Sequence, residues 1–279
     1  RLFITSKGQR SEAGARFSGP QALSAAVDRL IRATGVVVDD TATHAEGSLA
    51  DGTAVRVIWP PLCPSGPVVL LRKPRSEAAT LADLVGQNKI EPAAAARLVE
   101  LQAAGRSIAI AGWPGVGRRT LLNALALELD EDARIVIVEE GVRIHLDRPQ
   151  VIRFDGAVPP SGKSSVVALA SRLRPERLLL GAVRAERCTE LLDYACDGIA
   201  PWVGFFSARS VRGLLEHLVH TYAVHHPGVS PATCTARAAI ALDVVAAFSE
   251  REDGSVVLDQ VVEVFSDEAG LQTRSLLDG

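Results

Sequence analysis

Gly112-Trp113-Pro114-Gly115-Val116-Gly117-Arg118-Arg119-Thr120 is the stretch that decides the fold. Gly112 and Gly117 keep the spacing G-x-x-x-x-G of a P-loop, a strand-to-helix turn whose successive backbone N–H groups wrap a phosphate. An intact loop continues with Lys and then Ser or Thr. Here Arg118 and Arg119 hold those positions. The apolar run Ser107 to Ala111 predicts a buried strand before the loop, and Thr120 to Leu129 a helix after it, which is the context such a loop requires. Arg118 retains a cation, on a longer and planar fork. Arg119 puts a positive charge where Mg²⁺ would sit, and Thr120 lies one residue too late to be its hydroxyl ligand. The alternative is a glycine-rich strand-to-helix turn with no ligand, and descent from a P-loop accounts for this stretch better than that.

Outward from the loop, the pattern repeats as strand, loop and helix, the mark of a parallel α/β sheet. Strands are expected at Arg134 to Val138, Gln150 to Phe154, Arg177 to Leu180 and Trp202 to Phe206. Helices are expected at Ser165 to Leu173, Ala185 to Ala195 and Val211 to Tyr222, then a final helix, Thr233 to Leu242. The tail reads as a hairpin, Asp243 to Phe248 and Val256 to Phe265, turned at Asp253-Gly254. Residues 1–75 read as a smaller α+β domain. Its helix, Gln21 to Thr34, places Leu23, Ala26, Val27, Leu30 and Ile31 on one face; a hairpin turns at Asp51-Gly52, and a strand covers Val68 to Leu71. Residues 76–90 read as a polar linker with one short helical segment, Thr80 to Val85. Residues 91–279 form the α/β domain, opening with a helix from Glu91 to Ala104 that has Pro92 in its first turn.

The 279 residues are 47% hydrophobic and 23% charged, the balance of a globular chain, and the net charge of −3 excludes a global basic field for nucleic acid. Four cysteines without a C-x-x-C pair read as plain thiols of a reducing compartment. No apolar run approaches the ~20 residues of a membrane span, so a cytoplasmic location is expected. Methionine is absent even at position 1, which suggests a start inside a longer protein or after processing. Ser161-Gly162-Lys163-Ser164 mimics a second P-loop, but Ala157 stands where its first glycine belongs. His225-His226 precedes Pro227-Gly228 and reads as an exposed loop; His217 and His220 share a helical face without ligand partners, so no metal site is expected.

The order of motifs resembles the type II/type IV secretion ATPase superfamily, in its CpaF/TadA (Tad pilus) branch. The resemblance runs through Leu49-Ala50-Asp51-Gly52-Thr53, Trp59-Pro60-Pro61, Ser65-Gly66-Pro67 and Leu71-Arg72-Lys73. It continues in the loop with Thr120-Leu121-Leu122-Asn123-Ala124-Leu125 and in the acidic strand Arg134 to Glu140. The Walker B-like run Leu173 to Arg184 and the closing Asp253-Gly254-Ser255 with Val261 to Val264 complete it. It implies an α/β fold, a RecA-like P-loop NTPase domain preceded by a smaller α+β N-terminal domain. It also implies a hexameric homo-oligomer with ATP or ADP between the domains, at the cytoplasmic face of the inner membrane. Membrane platform proteins of a pilus or secretion machine, or an active paralogous ATPase, would be partners, and nucleic acid would not.

The departures fall on the chemistry. Besides Arg118 and Arg119, Ala182 stands at the Walker B glutamate and Ala54 at an arginine expected to help hold phosphate. The family's His box is rewritten as Ile199 to Ser210, with Ser207 nearest the histidine. Gly112, Gly115, Gly117, Arg118, Arg119, Thr120, Arg72 and Arg184 form the nucleotide-binding-like set; Glu139 is a vestigial catalytic candidate. Mg²⁺ is not expected. Three readings follow: a pseudo-ATPase with a structural or regulatory role, a divergent but working motor, and a nucleotide-sensing module without turnover.

Overall fold

A computed structural model describes residues 1–6, 9–39, 41–73, 79–139, 144–156, 165–196, 198–268 and 270–277. The chain forms two compact units, Arg1–Arg75 and Ser76–Gly279.

In the first unit, β1 (Phe3–Ser6) and β2 (Gln9–Glu12) pair antiparallel and are exposed throughout. With no buried face, they leave no alternation for the sequence to report. Helix α1 (Pro20–Ala33) begins on Pro20, whose fixed φ and missing N–H suit a first helical turn. It covers a three-stranded antiparallel sheet of β3 (His44–Ser48), β4 (Ala54–Ile58) and β5 (Val68–Arg72). Val27 and Ile31 of the helix meet Ala45, Val55 and Val57 of the sheet, so the small core comes from helical spacing on one side and period-two alternation on the other. Gly47 admits no side chain: a Cβ there would lie 2.6 Å from Thr34 Cβ.

The second unit opens with α2 (Leu81–Gly86), held by a capping box between Thr80 and Asp83, and α3 (Pro92–Ala103). Residues 79–90, expected as a connection, thus contribute Leu81, Leu84 and Ile90 to the core of this unit. There follow β6 (Ile108–Gly112), α4 (Arg118–Leu127), β7 (Ile135–Glu139), β8 (Val151–Asp155), α5 (Val166–Arg172), β9 (Arg177–Ala182), α6 (Ala185–Ala195), β10 (Trp202–Ser207), α7 (Val211–His225), α8 (Pro231–Ala241), β11 (Val244–Glu250), β12 (Val256–Asp267) and β13 (Gly270–Ser275). The strands build one eight-stranded sheet in the order β13-β12-β11-β6-β10-β9-β7-β8. The six strands from β11 to β8 run parallel; β12 and β13 extend the sheet antiparallel. The tail is therefore a three-stranded meander, and β13 adds to the expected hairpin.

Alternate residues of each central strand feed two cores. Ile108, Ile110, Ile135 and Ile137 pack towards α2, α3 and α4. Ala109, Ala111, Val136 and Val138 pack towards α5 to α8. Strands covered on both faces read as continuous apolar runs, and so the sequence displays them. This is the expected α/β architecture, with a parallel sheet between two helical layers. Arg148 secures the end of α4 by donating to the carbonyls of Leu127, Leu129 and Asp130 at 2.7–2.9 Å. His225 and His226 do not lie in an exposed loop. His225 ends α7, and His226 stacks on Tyr222 with ring centroids 4.0 Å apart and sets Nε2 3.3 Å from Asp193 of α6. Among the described residues no helix is long and apolar enough to cross a membrane, and no group of three His, Cys, Asp or Glu is arranged to hold a metal ion.

Candidate functional site

In a parallel sheet the strand C-termini form one rim, where ligand sites are built. Here that rim gathers Gly112 of β6, Glu139 of β7, Ala182 of β9 and Phe205, Phe206 and Ser207 of β10. The loop between β6 and α4 turns through Gly115 and Gly117, with φ of +98° and +114°. A Cβ at Gly112 would lie 2.7 Å from Val116 Cγ2, 3.2 Å from Phe248 Cδ2 and 3.3 Å from Arg118 Cδ. This position needs glycine chiefly because the Val116 side chain presses on it, with Phe248 and the Arg118 stem close behind. The helix begins at Arg118, two residues earlier than the sequence suggested, and both arginines belong to its first turn.

Arg118 is only 9% exposed. Its Nη1 donates to the Phe206 carbonyl and, at 3.0 Å, to Ser207 Oγ. Its Cζ lies 5.4 Å from the centre of the Phe205 ring, and that of Arg119 lies 5.7 Å from the same ring. Burial pulls the Arg118 pKa down, yet a guanidinium stays charged throughout the physiological range. Thr120 is partly buried one residue further along α4. The loop thus brings Gly112, Gly115, Gly117, Arg118, Arg119 and Thr120 together, with Ser207 beside them.

Glu139 is 8% exposed at the end of β7. Its carboxylate accepts from the Ile144 amide at 2.9 and 3.2 Å and pairs with Arg153 of β8 at 3.1 Å. Arg153 also donates to the Leu146 carbonyl at 2.8 Å. Gly181 passes so close that a Cβ there would lie 2.9 Å from Glu139 Cβ. Arg184 is exposed and occupies the N-cap position of α6 without a side-chain capping bond. Ala182 ends β9, opposite Phe205. Arg72 ends β5 in the first unit, opposite Ala54. The Ser161-Gly162-Lys163-Ser164 segment and Glu140 lie outside the described residues.

Two residues that brace the candidate site were missed by sequence reasoning. Asn123 donates to the Arg119 carbonyl at 2.9 Å and accepts from the His145 amide at 2.7 Å, tying α4 to the segment after β7. Arg153 was hidden inside the strand Val151-Ile152-Arg153-Phe154-Asp155. Its signal was parity: in register with Ile137, it points to the face that Glu139 shares.

The residues present fit the phosphate part of a nucleotide and not its metal. The positive-φ glycines and the first turn of α4 supply amide donors. Mg²⁺ would meet the guanidinium of Arg119 where a hydroxyl ligand is needed, and a methyl group at Ala182 where a carboxylate would hold it or its water.

Comparison with known proteins agrees with this architecture. A family described as "Type II/IV secretion system protein" matches residues 39–197. A candidate conjugal transfer protein of Mycobacterium tuberculosis is 31% identical over 189 residues, covering 63% of this chain and 54% of its own length. The chain thus spans about half the length of that relative. The type IV secretion system protein PtlH of Bordetella pertussis is 26% identical over 249 residues, covering 78% of this chain and 73% of PtlH. The crystal structure of the Legionella pneumophila ATPase DotB superposes with a TM-score of 0.62 at 17% identity, covering 96% of this chain and 74% of DotB, a likeness of fold. The family match covers more than half of the 279 residues, and the chain belongs to the type II/IV secretion system protein family.

Proposed function

We propose that this chain is a pseudo-ATPase of its family, in the CpaF/TadA-like branch, and serves as a structural or regulatory subunit of a Tad-like pilus or secretion machine. The observation that carries the reading is the condition of Glu139. The carboxylate that resemblance assigns to catalysis is buried, accepts the Ile144 amide and is ion-paired to Arg153. A carboxylate held this way is poor at orienting water, because its lone pairs are already directed at fixed donors. Phosphoryl transfer relies on positioning and charge stabilisation, and losing one such group commonly costs several kcal/mol of barrier. Arg118, Arg119 and Ala182 alter three further positions of the same machinery.

The named relatives act in conjugation and type IV secretion by their descriptions, which supports a place in a multi-subunit machine. Its partners would be inner-membrane platform proteins or an active paralogous ATPase, within a homomeric or mixed ring. The test is steady-state phosphate release by purified protein with Mg²⁺ and ATP. No turnover above background is expected. Mg²⁺-dependent turnover abolished by Glu139→Ala would instead establish the divergent motor.

A further inference from the structure

An intact P-loop sets two cationic centres against the terminal phosphates: the lysine and Mg²⁺. Here two guanidinium groups stand at the lysine position and at the metal-ligand position, and both converge on the Phe205 ring, at 5.4 and 5.7 Å. Arg118 is nine-tenths buried, yet its two hydrogen-bond acceptors, the Phe206 carbonyl and Ser207 Oγ, are neutral. Among the described residues no carboxylate pairs with it, and its Nε and Nη2 donate to none of them. A buried cation without a counter-charge is a state that an anion stabilises. The helix that Arg118 opens points the same way: the Gly117 N-cap offers no side-chain acceptor, and the first turn of α4 carries no acidic residue. The first turn of a helix carries amide donors that have no intrahelical acceptor, the kind of group an anion accepts from.

We infer that this loop binds a polyphosphate anion without Mg²⁺, with Arg119 supplying the charge that the metal supplies in an intact loop. The ligand class is the di- or triphosphate group of a nucleotide, or free pyrophosphate. The inference rests on the reading above that the metal site is lost, and it converts that loss into a change of ligand form. A nucleotide chelated to Mg²⁺ has surrendered two negative charges, so the metal competes with the arginines for the phosphates instead of bridging them.

The experiment is calorimetric titration of the purified protein with ADP, ATP and pyrophosphate, each with EDTA and with excess Mg²⁺. Binding is expected in EDTA and should weaken severalfold in Mg²⁺. Pyrophosphate binding as well as ADP would place recognition in the phosphates, and tighter ADP would add a contribution from the nucleoside. Arg119→Thr should weaken binding in EDTA by about tenfold and abolish the penalty from Mg²⁺. Arg118→Ala should weaken it by at least as much, with Arg118→Lys as the variant that preserves charge should the alanine protein fail to fold. Absence of binding in EDTA, or binding that requires Mg²⁺, overturns the inference and leaves the loss of turnover standing. ATP turnover in the same samples overturns the pseudo-ATPase reading itself.

Discussion

Arg153→Met tests whether Glu139 is part of the framework. The substitution keeps the aliphatic stem and removes one partner of a carboxylate that is 7% exposed in its side chain. Removing one member of a fully buried ion pair costs about 3–5 kcal/mol. Two features lower that here: Arg153 keeps 31% of its side chain exposed, so water screens part of the pair, and Glu139 retains the Ile144 amide at 2.9 Å. The loss of the Leu146 carbonyl's donor adds back a little. About 1–2 kcal/mol of destabilisation is expected. Urea unfolding followed by fluorescence measures it. Trp202 is fully buried in the second unit and reports the right transition once Trp59 of the first unit is replaced by Phe. Glu139→Gln keeps one acceptor oxygen and should cost about 1 kcal/mol. The double variant should cost less than the sum by about 1 kcal/mol, because the two changes remove opposite ends of the same ion pair. If both single variants fall within about 0.5 kcal/mol of the parent and show no coupling, Glu139 is not held by the framework, and the argument for lost turnover loses its chief support.

Gly181→Ala should destabilise by about 1–3 kcal/mol in the same assay, because the added methyl would lie 2.9 Å from Glu139 Cβ and 3.3 Å from its Cα, neighbours that cannot rotate away. Burial, then the hydrogen bond to Asp193, raises the Tyr222 phenol to about 12. Since an unfolded tyrosine ionises near 10, its contribution is complete below about pH 10 and is lost as pH rises towards 12. Tyr222→Phe should flatten the stability profile over that window, and an unchanged slope would contradict the assignment. Burial also pushes the Cys188 thiol to about 12. A thiol reagent at pH 8 should therefore label exposed Cys196 quickly and half-buried Cys63 more slowly, leaving Cys188 and Cys234 for unfolding; rapid labelling of all four would refute the packing around them.

The parallel sheet was legible because its strands are buried on both faces. Ile108 to Ala111 and Ile135 to Val138 need no alternation to be noticed, and the glycines between β6 and α4 have a backbone reason for their spacing. The first and last pairings were not legible. β1 and β2 expose every residue, and β13 is an edge strand with three exposed positions, so neither is written in apolar pattern. At the rim, the glycines were found by spacing, but the direction of Arg118 was not. A sequence says that a guanidinium is present; only the fold says that it turns inward to β10. Arg153 was the harder case, since a charge inside an apolar strand looks like a solvent-facing residue until β7 supplies its register.

That register also shows how the altered positions lean on one another. Arg118 bonds to Ser207, which resemblance places nearest a histidine. Arg118 and Arg119 both sit over Phe205, within the rewritten stretch, and Phe205 lies opposite Ala182, where a glutamate is expected. A glutamate at 182 would project beside an aromatic ring, and a lysine at 118 would bring one ammonium to acceptors that a planar fork now reaches from further away. On the proposed reading these are matched changes: each substituted side chain occupies space or satisfies polar atoms released by another. Restoring one residue alone, as in Arg118→Lys or Ala182→Glu, therefore removes a fitted contact without rebuilding the site. Turnover should return, if at all, only when the loop, β9 and β10 are changed together.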